Sequence, residues 1–215
     1  MMRRGFLAFL WLLAVPTAAW AQRLEDYDYE NLAFRGVSVD VGRIWPNKVE
    51  STPSYSVRVD LGYLGPWLRL VPSLTYWSSE LKGVELERLA DQLNRLDAIR
   101  SRGVPIRADE LGPIDWRGIA AALDAQLAWG PVERVLGYAG AGLGIHALNG
   151  SGPAIDGTFI EDLLDTVTAG LEGVVGVEVQ PLDRLRLYVE GRYTLLEHIR
   201  YPGLRIGGGY VPWSR

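Results

Sequence analysis

Ten charged residues stand out by their spacing: Arg58, Asp60, Arg69, Asp124, Glu172, Glu178, Arg186, Glu190, Arg192 and Arg205. Each is flanked by apolar residues or glycine. Each therefore sits on the polar side of a period-two pattern. Five are acidic and five basic. Gathered where little water enters, they would neutralise one another as ion pairs. Strung along a wet channel, they would form a narrow pore or a proton path. The balance of signs favours a packed network and argues against strong ion selectivity. His146 and His198 are the only histidines. His146 has Ser151 nearby and His198 follows Glu197, yet neither makes a recognisable catalytic arrangement. Two lone histidines and no cysteine give no expected metal site. Gly140, Gly142 and Gly144 alternate, but no Lys-Ser/Thr follows them, so they do not read as a phosphate cradle. They read as space for long side chains from neighbouring strands. No cofactor is implied.

These side chains need strands to hold them. In Tyr55–Trp77, Tyr55, Val57, Val59, Leu61 and Tyr63 share one face, while Ser56, Arg58, Asp60 and Gly62 share the other. Leu68, Leu70, Leu74 and Tyr76 then oppose Arg69, Val71, Ser73 and Thr75. Gly65-Pro66 reads as the turn between the two strands. The same alternation recurs, giving strands near 34–45, 116–129, 133–147, 166–180, 184–195 and 204–213. Turns are expected at Gly130-Pro131 and Pro181 to Asp183. Connections two, four and six are tight, and one, three, five and seven are longer. In an up-and-down barrel, odd and even connections lie at opposite rims, so the loops gather at one rim.

The start of the chain sets the context. Arg3 and Arg4 precede an apolar run from Phe6 to Val15 and a small-x-small site, Ala19-Trp20-Ala21. This reads as a signal peptide over 1–21, cleaved after Ala21, with one domain over 22–215. Processing would leave 20 basic against 26 acidic residues, a net charge of −6, which argues against nucleic acid as a partner. Beyond the signal no run of ~18 apolar residues occurs. A mature chain in a membrane must then be a closed barrel, because open strand edges cannot face hydrocarbon. The pattern reads inside out, with apolar faces to lipid and charges to the lumen. A soluble periplasmic barrel around a small apolar ligand would need the opposite facing. Trp45, Trp77 and Trp116 fall at strand ends on the loop rim, and Trp67, Trp129 and Trp213 at the turn rim. Indole favours the lipid–water interface, so two girdles are expected.

The signal, the opening hairpin, Tyr138-Ala-Gly-Ala-Gly-Leu-Gly-Ile145 and Leu185 to Tyr193 resemble the small eight-stranded outer-membrane barrels, the OmpA/OmpX-type transmembrane domain. The resemblance implies an eight-stranded antiparallel up-and-down β-barrel in the outer membrane of a diderm bacterium. It implies membrane lipid and lipopolysaccharide as surroundings, and the barrel-assembly machinery as a partner during biogenesis. It also implies a non-enzymatic role: envelope support, adhesion, or binding of an unidentified ligand by the loops. Some small outer-membrane barrels modify lipid using His with Ser and an acid, which makes that the enzymatic alternative. Such barrels usually end on an aromatic residue, whereas here Ser214 and Arg215 follow Trp213.

Two loop features and three pairings complete the reading. Leu86, Leu89, Leu93 and Leu96 predict an amphipathic helix within Gly83 to Arg102, serving as a lid, a partner surface or simple packing. Thr158 and Glu161 predict a capping box and a second helix. The hairpin registers place Asp60 diagonal to Arg69, Glu178 to Arg186, and Glu172 to Arg192.

Overall fold

The computed structural model describes residues 32–96 and 105–212. The expected signal peptide, residues 97–102 of the expected loop helix and Trp213 lie outside the described residues. Eight strands form one closed antiparallel barrel in chain order. They are β1 (Leu32–Ile44), β2 (Thr52–Gly62), β3 (Leu68–Glu80), β4 (Asp115–Val132), β5 (Val135–Ser151), β6 (Thr166–Leu182), β7 (Leu185–Leu196) and β8 (Arg200–Tyr210). β1 closes on β8 from Val37↔Tyr210 to Ile44↔Gly203, which completes the barrel.

The alternation sets the facing. Val39, Leu143, Ile145, Leu171, Val175 and Ile206 are exposed on the outer wall, while all ten charged residues singled out above point inward. This facing rejects the soluble barrel, whose apolar faces would turn inward. Along β4 it is strict: Ile119, Leu123 and Leu127 are exposed, and Ala120, Ala122, Asp124 and Gln126 are buried.

The registers follow hydrophobic facing, as expected where a one-residue slip would flip every side chain. Ser56 pairs with Thr75, and Glu178 with Tyr188. The β2–β3 ladder stops after Arg58↔Ser73, where Pro72 lacks an N–H, and resumes one residue out of step at Tyr63↔Arg69.

Three boundaries correct the sequence reading. β4 runs through Gly130-Pro131, and the turn is Glu133-Arg134, with Arg134 at φ 64°. β6 likewise runs through Pro181 to Leu182. Each proline sits inside a register shift, where a ladder hydrogen bond is already missing, so it costs little there. β8 starts at Arg200, so the seventh connection is only Glu197 to Ile199, and the loops are sorted less strictly than expected.

The loop rim carries α1 (Gly83–Arg95), α2 (Ala108–Leu111) and α3 (Phe159–Leu164). Ala90 and Leu93 of α1, Leu111, Ile114, Ile155 and Ile160 of α3 form one apolar core above the barrel mouth. Asn94 ties α1 to the returning chain, donating to Ile106 O and accepting from Ile106 N, both at 2.8 Å. Ile160 N donates to the Thr158 hydroxyl at 3.3 Å, which caps α3. Glu161 accepts from Gly157 N at 2.6 Å rather than from Thr158, so the capping box is displaced by one residue.

Candidate functional site

The lumen holds the charged cluster, built from all eight walls except β5. β5 contributes Tyr138, His146 and its glycines instead. Two hubs organise it. Glu190 is fully buried and meets Arg58 at 2.8 Å, Arg192 at 3.1 Å and Arg205 at 3.3 Å. The Tyr138 hydroxyl also donates to it at 2.9 Å. Arg192 in turn meets Glu190, Asp124 at 2.5 Å, and Glu172.

Towards the turn rim, Arg69 binds Glu178 at 2.5 Å and donates to Gln126 Oε1 at 2.7 and 3.2 Å. Arg186 binds Asp60 at 2.5 Å and lies 3.5 Å from Glu178. Towards the loop rim, Arg205 donates to Ser56 at 2.9 Å and lies 3.7 Å from Asp40. Arg58 stacks on Tyr188, 3.3 Å from the ring centroid, and Tyr188 donates to Asp40 at 2.7 Å.

The three diagonal pairs all lie within ion-pair distance. Two are not the shortest contacts. Asp60 is closer to Arg186 than to Arg69, and Glu178 is closer to Arg69 than to Arg186. These shorter contacts cross the lumen, because an eight-stranded interior is narrow enough for an arginine to reach the far wall. Asp40, Gln126, Tyr138 and Tyr188 belong to the cluster although the charge pattern did not single them out. Strand parity could have found them, since each sits on the polar side of its strand.

Small residues create the space. A Cβ on Gly142 would collide with Asp124, one on Gly176 with the Tyr138 ring, and one on Gly207 with the Tyr188 ring. Above the charges, Trp77 and Tyr201 meet edge to face, with centroids 6.2 Å apart. They join Ile44, Val49, Trp116, Leu148 and Ile199 in an aromatic and aliphatic plug. Between plug and charges lies a cavity of about 20 Å³, bordered by Thr75, Glu172, Arg192 and Tyr201. That is space for roughly one water.

No protein-family model and no curated protein matches the sequence. Among solved structures, Neisserial surface protein A is similar with a TM-score of 0.52 and 15% identity, over 83% of this chain and 96% of that one. The fold is that of the small eight-stranded outer-membrane barrels. Two others of this kind are Ail of Yersinia pestis, crystallised with the heparin analogue sucrose octasulfate, and the N-terminal barrel domain of Pseudomonas aeruginosa OprF. Ail scores 0.49 at 10% identity, over 81% of this chain and 95% of its own. OprF scores 0.47 at 13% identity, over 82% and 97%.

Within this outer-membrane barrel fold, the tryptophans divide. Trp45, Trp67 and Trp129 are exposed on the outside. Trp77 and Trp116 are not; they turn inward and are buried in the plug, which corrects the expected girdle. Their parity explains it: Trp77 shares a face with Arg69 and Ser73, and Trp116 with Asp124. Trp77 lies across Gly118 of β4, where a Cβ would collide with its indole. The two histidines are far apart in kind. His146 is buried, 3.5 Å from Glu172, and its Nε2 has no hydrogen-bond partner among the described residues. Ser151 lies five residues further along the same strand, ~17 Å away by strand rise. His198 is exposed beside Glu197, on the β7–β8 turn.

Proposed function

We propose that this chain is a non-enzymatic, non-conducting outer-membrane barrel that acts through the surface of its loop rim. The proposal includes export by a signal peptide over 1–21, cleavage after Ala21, and a barrel domain over 22–215 in a diderm outer membrane. The observation that carries it is the filled lumen inside an apolar wall. Buried ion pairs, then a Trp77–Tyr201 plug, then a helical loop core stand in series along the barrel axis. Ions or solutes crossing such a lumen would have to break pairs that are already desolvated. The charged residues then act as packing and register elements, and Trp45, Trp67 and Trp129 as interface anchors. Lipopolysaccharide is the proposed outer-leaflet surrounding, and the assembly machinery the transient partner. The folded loop layer supports a binding or adhesive role at the rim. The test is reconstitution of the mature chain into liposomes and planar bilayers. No swelling in small sugars and no stepwise conductance are expected. Stable open channels in the wild-type chain would contradict the reading.

A further inference from the structure

At the loop rim the wall is uneven. β6 pairs with β7 only from Gly170↔Leu196 downwards. The top of β6, from Thr166 to Ala169, has no partner on that side among the described residues, because β7 turns into β8 at Leu196, whose N–H bonds Ile199 O at 2.9 Å. A groove of about 610 Å³ lies at this step. That size falls within the ~300–1,000 Å³ usual for small-molecule sites. Leu89, Leu93 and Leu96 line one side, and Trp116 and Leu148 another. Leu163 and Val167, 61% and 72% exposed, border it and continue the apolar outer wall. Its polar lining is mixed: Lys48 and His198, with Asp165, which accepts from Asn149 and Gly150, and Glu197, 3.8 Å from His198.

We propose that this groove holds an acyl chain of a phosphate-bearing membrane lipid, entering sideways over Val167. The inference rests on the membrane reading above and names a site within it. Three features select this occupant. The apolar lining is continuous with the face that meets lipid. An open strand edge is excluded from hydrocarbon, which puts this one at headgroup depth. Lys48 offers a donor to a headgroup phosphate beside a slot for the chain. An amphipathic ligand matches both halves of the site, whereas a water-soluble sugar would leave the leucines unsatisfied.

The test uses the mature chain in vesicles of phosphatidylcholine with phosphatidylglycerol that carries a diazirine at the end of one acyl chain. Chain ends of ordinary surrounding lipid lie near the bilayer midplane, so they label the wall near Leu123, Leu143 and Leu187. A chain held in the groove labels Leu93, Leu148 or Leu196 as well. Groove labelling is expected in the wild type. It should fall severalfold in Lys48→Gln, and in Leu148→Trp, which fills the slot. Folding of each variant is checked by heat-dependent gel mobility. Midplane labelling without groove labelling overturns the proposal and leaves the membrane reading standing. Groove labelling that Lys48→Gln leaves unchanged overturns the part given to the headgroup phosphate. Absence of labelling at both places would sink the membrane reading itself.

Discussion

Glu190 joins three arginines in the lumen, and its loss should be felt strongly. Glu190→Gln leaves Arg58, Arg192 and Arg205 without their shared carboxylate, in a site that water barely reaches. A buried pair broken on one side costs ~3–5 kcal/mol. A loss of that size is expected in urea unfolding from lipid vesicles. Arg186→Gln should cost less, because its side chain is 19% exposed and water can solvate the carboxylates left behind. Glu172 and Arg192 are in contact, so a double-mutant cycle should return a clear coupling energy. A value near zero would mean that they do not meet in the membrane. Which residues face inward was legible in the sequence, because strand parity alone decides it. Which inward residues touch was only partly legible. Neighbouring-strand pairs follow from register, but the shorter contacts of Asp60 and Glu178 cross the lumen and depend on barrel closure. Tyr138 and Tyr188 share the inward parity, but a selection by charge passes over a neutral hydroxyl.

At the scale of elements, period-two alternation located all eight strands, and the errors gathered at their ends. Gly130-Pro131 and Pro181 read as turns, since proline rarely sits within a strand. Both are absorbed in register shifts just before a turn instead. The two turns also brace each other, with Arg134 3.6 Å from Asp183 and Gln180 N donating to Arg134 O at 2.9 Å. The inward turn of Trp77 and Trp116 followed from parity, but preference for the interface argued the other way. Parity prevailed because a strand's two-residue period fixes which face each side chain takes, and 77 falls with 69 and 73. Two predictions belong here. Leu123→Arg and Leu187→Arg, on outward faces near mid-strand, should each destabilise the barrel in bilayers by ~2–4 kcal/mol. Unchanged stability would refute the outward assignment. Thr158→Ala removes the α3 cap and should cost ~1 kcal/mol. The effect should be local, raising amide exchange in 159–164 while leaving the barrel amides protected.

Among the described residues, the molecule is a filled cylinder elaborated at its loop rim. α1 and α3 share one apolar core, so the loops form a layer of their own rather than separate strands of coil. The leucine face of α1 and its packing on the second loop helix were legible, but the four-residue α2 was not, since it is too short to show a helical period. Orientation is predicted: a single cysteine at Glu87 should react with an impermeant maleimide on intact cells, and one at Asp183 only after the cells are opened. The reverse pattern would invert the barrel. The chain has no cysteine of its own, which also permits the most direct test of the inside-out wall. Single cysteines placed in turn at 119 to 128 of β4 are spin-labelled in reconstituted protein. Their accessibility to oxygen and to a water-soluble nickel reagent is then measured. Labels at 119, 121, 123, 125 and 127 should be open to oxygen dissolved in the bilayer and closed to nickel. Those at 120, 122, 124, 126 and 128 should be shielded from both. Nickel access at the odd positions, or oxygen access at the even ones, would contradict a lipid-facing apolar wall around a filled, charged lumen.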